Sequence, residues 1–157
     1  VSVAYADFLA QKRRVFIGAG VSSEVDYPDR SYDWQRAIIR WALRKGRAAL
    51  FCDCGLGKTL MQLTWARGTR QRTLILAPLA VAEQTVREGA KFGIPVLYAA
   101  DHAHIGDAPL VITNYERLEK FDVSAFGAVV LDESSILKAF DGKTRTKLIE
   151  TFKQTPF

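Results

Sequence analysis

The chain is poor in the residues that mark secreted or metal-built folds: two cysteines, two histidines and one methionine in 157 residues. Cys52 and Cys54 flank Asp53, with no further Cys or His close in sequence. That excludes a disulfide framework and a structural zinc site, and leaves small side chains packing beside a loop as the plain reading. Asp101-His102-Ala103-His104 offers two imidazoles at i, i+2 without a third ligand at metal spacing, and reads as solvated loop. No apolar run is long enough to span a bilayer, no signal-peptide core is visible, and internal repeats and low-complexity tracts are absent. The expectation is a protein of the cytoplasm with no membrane partner.

What is present is an ordinary globular composition, 48% hydrophobic and 25% charged, with enough length for one domain with a real core. Lys+Arg 22 against Asp+Glu 17 leaves a net charge of +5, which favours a polyanionic partner without identifying one. Residues 1–30 read as a short amphipathic helix over Tyr5–Arg14 followed by an irregular connector. Residues 31–157 read as the main domain. From Asp33 to Lys45 apolar residues recur at helical spacing and Gly46 ends the run. Trp34 and Trp41 are expected to pack from this helix against a sheet. Arg36, Arg40, Arg44, Lys45 and Arg47 read as its solvated face, with phosphate or partner contact as the sharper option.

Strand and helix patterns then alternate. Strands are expected at Ala48–Cys52, Thr73–Ala77, Pro95–Ala99, Leu110–Thr113 and Ala128–Leu131, and helices at Lys58–Arg67, Ala80–Lys91 and Lys143–Phe152. Such alternation predicts an α/β fold, a parallel sheet with helices on both faces. Ligands of these sheets sit beyond the carboxyl ends of the strands.

At one such end stands Gly55-Leu56-Gly57-Lys58-Thr59. Two glycines turn the chain and a Lys-Thr pair opens a helix, so backbone N–H groups converge where the helix dipole adds positive charge. This is a nest for polyphosphate, with Lys58 reaching the β- and γ-phosphates and the Thr59 hydroxyl on Mg²⁺. The strict G-x-x-x-x-G-K-[ST] pattern wants glycine where Cys52 stands. At the end of the last buried strand, Asp132 and Glu133 supply the partner chemistry. Asp132 would hold Mg²⁺ through water, and Glu133 would orient and deprotonate an attacking water.

In this order the motifs resemble the first RecA-like lobe of a superfamily 2 helicase or translocase, closest to the Swi/Snf-type branch and its phage and bacterial relatives. Tyr32-Asp33-Trp34-Gln35 resembles the upstream glutamine motif, which implies that Gln35 reads the adenine edge. Phe51 to Thr59 resembles the phosphate-loop motif, implying ATP contact by Gly55, Leu56, Gly57, Lys58 and Thr59. Leu76-Ala77-Pro78-Leu79 with Gln84, and Ile112-Thr113-Asn114-Tyr115-Glu116, resemble motifs that contact a nucleic-acid strand. Pro78, Gln84, Thr113, Asn114 and Tyr115 are then the expected track contacts. Asp132-Glu133-Ser134-Ser135 stands where relatives carry Asp-Glu-Ala-His, and Lys138 matches a basic residue that often follows. The resemblance implies a P-loop NTPase fold, ATP and Mg²⁺ as cofactors, nucleic acid (DNA before RNA) as partner, and a bacterial or phage-infected cytoplasm.

Two departures accompany it. Ser134-Ser135 replaces the usual pair, and the strand expected to carry a Ser/Thr-Ala-Thr motif should begin near Thr155-Pro156-Phe157. In RecA-like sheets that strand lies between the phosphate-loop strand and the Asp-Glu strand, so a gap is expected at the sheet's centre. A second lobe would supply an arginine finger worth roughly 10³–10⁵ in rate, and without it this chain is expected to be inactive. Two other readings stay open. One is a nucleotide- or nucleic-acid-binding module without turnover. The other is a small-molecule kinase, against which Gln35 and the Pro78 motif count. Phe16 to Glu24 is locally similar to the opening of sirtuin deacylases, but their zinc cysteines are absent.

Overall fold

The computed structural model describes residues 20–22, 24–133 and 142–157. The expected helix over Tyr5–Arg14, most of the sirtuin-like stretch, and Ser134, Ser135 and Lys138 lie outside the described residues. Among the described residues four short strands form one all-parallel sheet: β1 (Thr73–Leu76), β2 (Leu97–Tyr98), β3 (Leu110–Thr113) and β4 (Ala128–Leu131), in the order β2-β3-β1-β4. Leu76 stands opposite both Thr113 and Leu131, so the carboxyl ends of the three longer strands finish level.

Successive side chains of a strand point to opposite faces, which is why β1 and β3 are buried at every position. On one face Ile75, Ala77, Leu110 and Ile112 meet Leu63 and Ala66 of α2 (Lys58–Gly68) and Ala82 of α3 (Leu79–Lys91). On the other, Leu74, Leu76 and Val111 meet Leu118, Phe121 and Phe126 from 3₁₀ turns and loop. Leu148 of α4 (Gly142–Thr151) and Phe152 complete that layer. The fold is therefore α/β with an all-parallel sheet covered on both faces, an arrangement compatible with a RecA-like domain.

A first helix, α1 (Asp33–Lys45), lies outside this sandwich. Its Ile39 and Leu43 pack on Met61 of α2, not on the sheet. This corrects the expectation for the tryptophans. Trp34 and Trp41 are each 41% exposed, Trp34 stacks on Tyr32, and Trp41 borders a shallow groove with Leu50 and Phe51. The apolar stripe that won is the narrower one of Ile39, Ala42 and Leu43.

The expected strand Ala48–Cys52 does not form. Phe51 is 95% exposed, and no described strand lies beside the segment to give it a ladder. Among the described residues the outer edge of β4 meets Phe157, whose N–H donates to the Gly127 carbonyl while its own carbonyl accepts from Val129, a single parallel bridge. Arg47 holds the unpaired segment instead. Its Nη2 donates to the carbonyls of Phe152, Lys153 and Thr155, the Lys153 bond being 2.9 Å. A guanidinium over the last carbonyls after a helix supplies donors where the helical ladder has ended; the Phe152 carbonyl also accepts from the Thr155 N–H.

Candidate functional site

The loop before α2 turns at two glycines with left-handed dihedrals, Gly55 at φ 79° and Gly57 at φ 70°. A Cβ on Gly55 would meet nothing, so its requirement is conformational alone. A Cβ on Gly57 would lie 2.6 Å from Nε2 of Gln35, so that position needs glycine for space as well. Gly57 is the N-cap of α2, and no side chain caps that helix start. Its first N–H groups are thus available to an anion, with the helix dipole behind them.

Lys58 is folded back on its own loop, its Nζ donating to the carbonyls of Cys52 (3.2 Å) and Asp53 (3.1 Å). Cys52, at the position where the strict pattern has glycine, is half-buried against the α1–α2 packing. Gln35 is buried, and both ends of its carboxamide are engaged. Its Oε1 accepts from the Tyr32 N–H at the start of α1, the N3 half of a capping box, and its Nε2 donates to the Leu56 carbonyl, each at 3.0 Å. The residue thereby fastens α1 to the loop.

The acidic pair sits across from α2, which packs against β4. Asp132 continues the sheet register, its N–H donating to the Leu76 carbonyl at 2.8 Å. Its Oδ2 accepts from Nε2 of Gln62 at 3.0 Å. Gln62 is three residues beyond Thr59, on the same side of α2, so one helix carries the loop's hydroxyl and a direct tie to the acid. Nothing in the motif pattern singled out Gln62; helical spacing from Thr59 was the signal that could have. Glu133 adopts φ 49°, a left-handed value rare for a side chain of its kind, and its N–H donates to Oδ1 of Asp132.

The remaining expected residues meet different fates. Pro78 lies two residues beyond β1, at the N-cap position of α3. Gln84 lies on the solvent side of α3, bonded to Glu88 at 2.7 Å. Thr113 is fully buried and its Oγ1 has no partner. Asn114 donates to Oε2 of Glu116 at 2.6 Å while its Oδ1 is buried and unpaired. Tyr115 turns inward: its hydroxyl donates to the Asp132 carbonyl at 2.7 Å. Burial first, then the Asp132 and Glu133 carboxylates, raise its phenol above the ordinary value.

No group of three His, Cys, Asp or Glu side chains is poised for a metal among the described residues. His104 pairs with Asp101 at 2.6 Å while His102 lies edge-on to Phe121 and Phe126, so the two imidazoles part company. Thr59 and Asp132, a hydroxyl and a carboxylate, stand at elements packed against each other and are the oxygens that could serve a hard cation. Mg²⁺ commonly takes one or two such protein oxygens and completes its shell with water and phosphate. A hollow of about 490 Å³ lies at the opposite end of the sheet. Of the arginines beside it, Arg67 bonds the carbonyl and carboxylate of Asp26 and Arg72 the carbonyls of Gly106 and Ala108, a structural use of their charge. No protein-family model matches the chain, and no curated protein matches it.

Proposed function

We propose that this chain is the ATP-binding lobe of an ATP-dependent nucleic-acid translocase or helicase with a RecA-like P-loop fold, hydrolysing ATP with Mg²⁺ when joined to a second lobe. The observation that carries the reading is the loop Gly55–Thr59, left-handed at both glycines and opening α2 without a side-chain cap, held by Gln62 beside the carboxylate of Asp132. The nest takes the phosphates. Lys58 leaves the Cys52 and Asp53 carbonyls for phosphate oxygens, a charge-assisted exchange that strengthens its bonds. Thr59 and Asp132 hold Mg²⁺, which neutralises developing charge on the phosphates when bound. Glu133, on the exposed side of the acid strand's end, is the water-orienting base.

Gln35 enters differently from the resemblance. Its Nε2 is on the Leu56 carbonyl, so in this state it sets the loop's position, and adenine recognition would require exchanging that bond. The track contacts proposed at this end are the loops around Pro78 and Asn114, giving backbone-directed, salt-dependent and sequence-tolerant binding, with DNA preferred to RNA. A second reading, a nucleotide-binding module without turnover, is favoured by one observation: the segment leading into the loop has no strand ladder behind it.

The test is ATP turnover by the two-lobe protein with and without DNA, beside Lys58→Ala and Glu133→Gln. The proposal expects DNA-stimulated turnover to fall by at least about 10²-fold in both, as for loss of an electrostatic or base contribution. ATP binding is expected to survive in Glu133→Gln and to fail in Lys58→Ala. Nucleotide binding with no turnover in any condition would favour the module, and turnover untouched by both substitutions would reject the site.

A further inference from the structure

We propose that Tyr115 is a positioning residue that couples occupancy of the nucleic-acid loop to the acidic pair, resting on the function proposed above. Residues 113–116 leave the carboxyl end of β3 and form one of the proposed track-contact loops. The Tyr115 hydroxyl does not face a track. It reaches past β1, which lies between β3 and β4, and donates to the main-chain carbonyl of Asp132 at 2.7 Å. That carbonyl belongs to the peptide joining Asp132 to Glu133, and Glu133 stands at φ 49°. A left-handed residue of this kind persists only while its surroundings hold it. Asp132 is held on its other side by Gln62. The acid pair therefore sits between two ties, one from the phosphate-loop helix and one from the nucleic-acid loop.

The loop itself is incompletely satisfied. Oγ1 of Thr113 and Oδ1 of Asn114 are buried without partners, while the Thr113 carbonyl is pinned by the Ala77 N–H. Buried polar atoms left unpaired favour rearrangement toward a state that pairs them. When a phosphate backbone accepts from the Asn114 Nδ2, that amide leaves Glu116 and the loop gains an alternative set of bonds. Tyr115 carries any shift of the loop to the Asp132–Glu133 peptide, turning the Glu133 carboxylate relative to the attacking water. Nucleic acid thus alters turnover through one hydrogen bond instead of through contact with ATP.

Tyr115→Phe keeps the ring and removes the tie. In the two-lobe protein, DNA affinity, KM for ATP, and kcat with and without saturating DNA are measured for both forms. The expected result is a DNA stimulation ratio reduced at least about fivefold, the factor that ~1 kcal/mol for one hydrogen bond gives, with DNA affinity altered less than about twofold and the loss in kcat instead of KM. An unchanged ratio overturns the proposal, as does a fall in DNA affinity that accounts for the lost stimulation, since the hydroxyl would then be a track contact. If wild-type turnover shows no response to DNA, the function proposed above fails and this coupling falls with it. If Tyr115→Phe melts below the assay temperature, amide exchange of wild-type Asp132 and Glu133 decides: DNA is expected to change their protection, and no change overturns the coupling.

Discussion

Tyr115 is the residue whose environment makes the sharpest single-site forecast. Its phenol titrates above the ordinary 10.0 because burial and two carboxylates disfavour the phenolate. The folded state therefore keeps its proton to higher pH than the unfolded chain does. The stabilisation is complete below pH 10 and is lost as pH rises above that value toward the raised folded value. In metal-free buffer, urea titrations of the wild type should show stability declining above pH 10 by more than Tyr115→Phe does. At neutral pH the variant should be less stable by about 0.5–1.5 kcal/mol. Parallel curves above pH 10 would mean that the hydroxyl is not buried beside the acids. Gly57 makes a second forecast. Gly57→Ala meets both φ 70° and the Gln35 carboxamide, and should cost about 1–2 kcal/mol in stability for the left-handed backbone alone. It should also abolish nucleotide binding in calorimetry, because the loop is displaced from Gln35. The sequence made Gly55–Thr59 and Asp132-Glu133 legible, since each motif is local. It could not show where Tyr115 points, because an aromatic in a loop next to a strand serves a track or a neighbour equally well until the sheet order is known.

At the scale of elements, legibility followed burial. Leu110–Thr113 and Ala128–Leu131 were readable to the residue, and Thr73–Ala77 nearly so, because each is a continuous apolar run, buried throughout in β3 and β1 and half-buried beyond Ala128 in β4. Ala48–Cys52 carries the same kind of run but no ladder. Strand formation is decided by a distant partner, and none of the described strands stands beside it. The helix Asp33–Lys45 was readable by period, whereas its neighbour was not: two tryptophans promised the wider face, yet Ile39 and Leu43 are the ones buried. Their substitution separates the cases. Ile39→Ala or Leu43→Ala should cost about 2–5 kcal/mol and loosen α1 from α2, while Trp41→Ala should cost clearly less. Chemical denaturation of the three variants checks the order, and a larger loss from Trp41→Ala would place the packing face wrongly. Arg47→Ala should free the segment before the phosphate loop from residues 152–155. Limited proteolysis between residues 47 and 54 is expected to accelerate, and an unchanged rate would mean that the three carbonyl bonds do not hold the segment.

For the whole molecule, an all-parallel sheet brings the ends of β1, β3 and β4 level, so Pro78, Asn114 and Asp132 share one rim and α2 brings Lys58 and Thr59 to it. The net charge of +5 adds a general attraction for polyanions but selects none of them. The account's central claim is that this rim takes a nucleoside triphosphate with Mg²⁺ in the nest of residues 55–59. Isothermal titration of ATP into the chain, with and without Mg²⁺, beside Lys58→Ala and Asp132→Ala, tests it most directly. One site is predicted, strengthened by Mg²⁺ in the wild type, abolished by Lys58→Ala and deprived of its Mg²⁺ dependence by Asp132→Ala. No binding to the folded wild type, or binding that both substitutions leave intact, would contradict it.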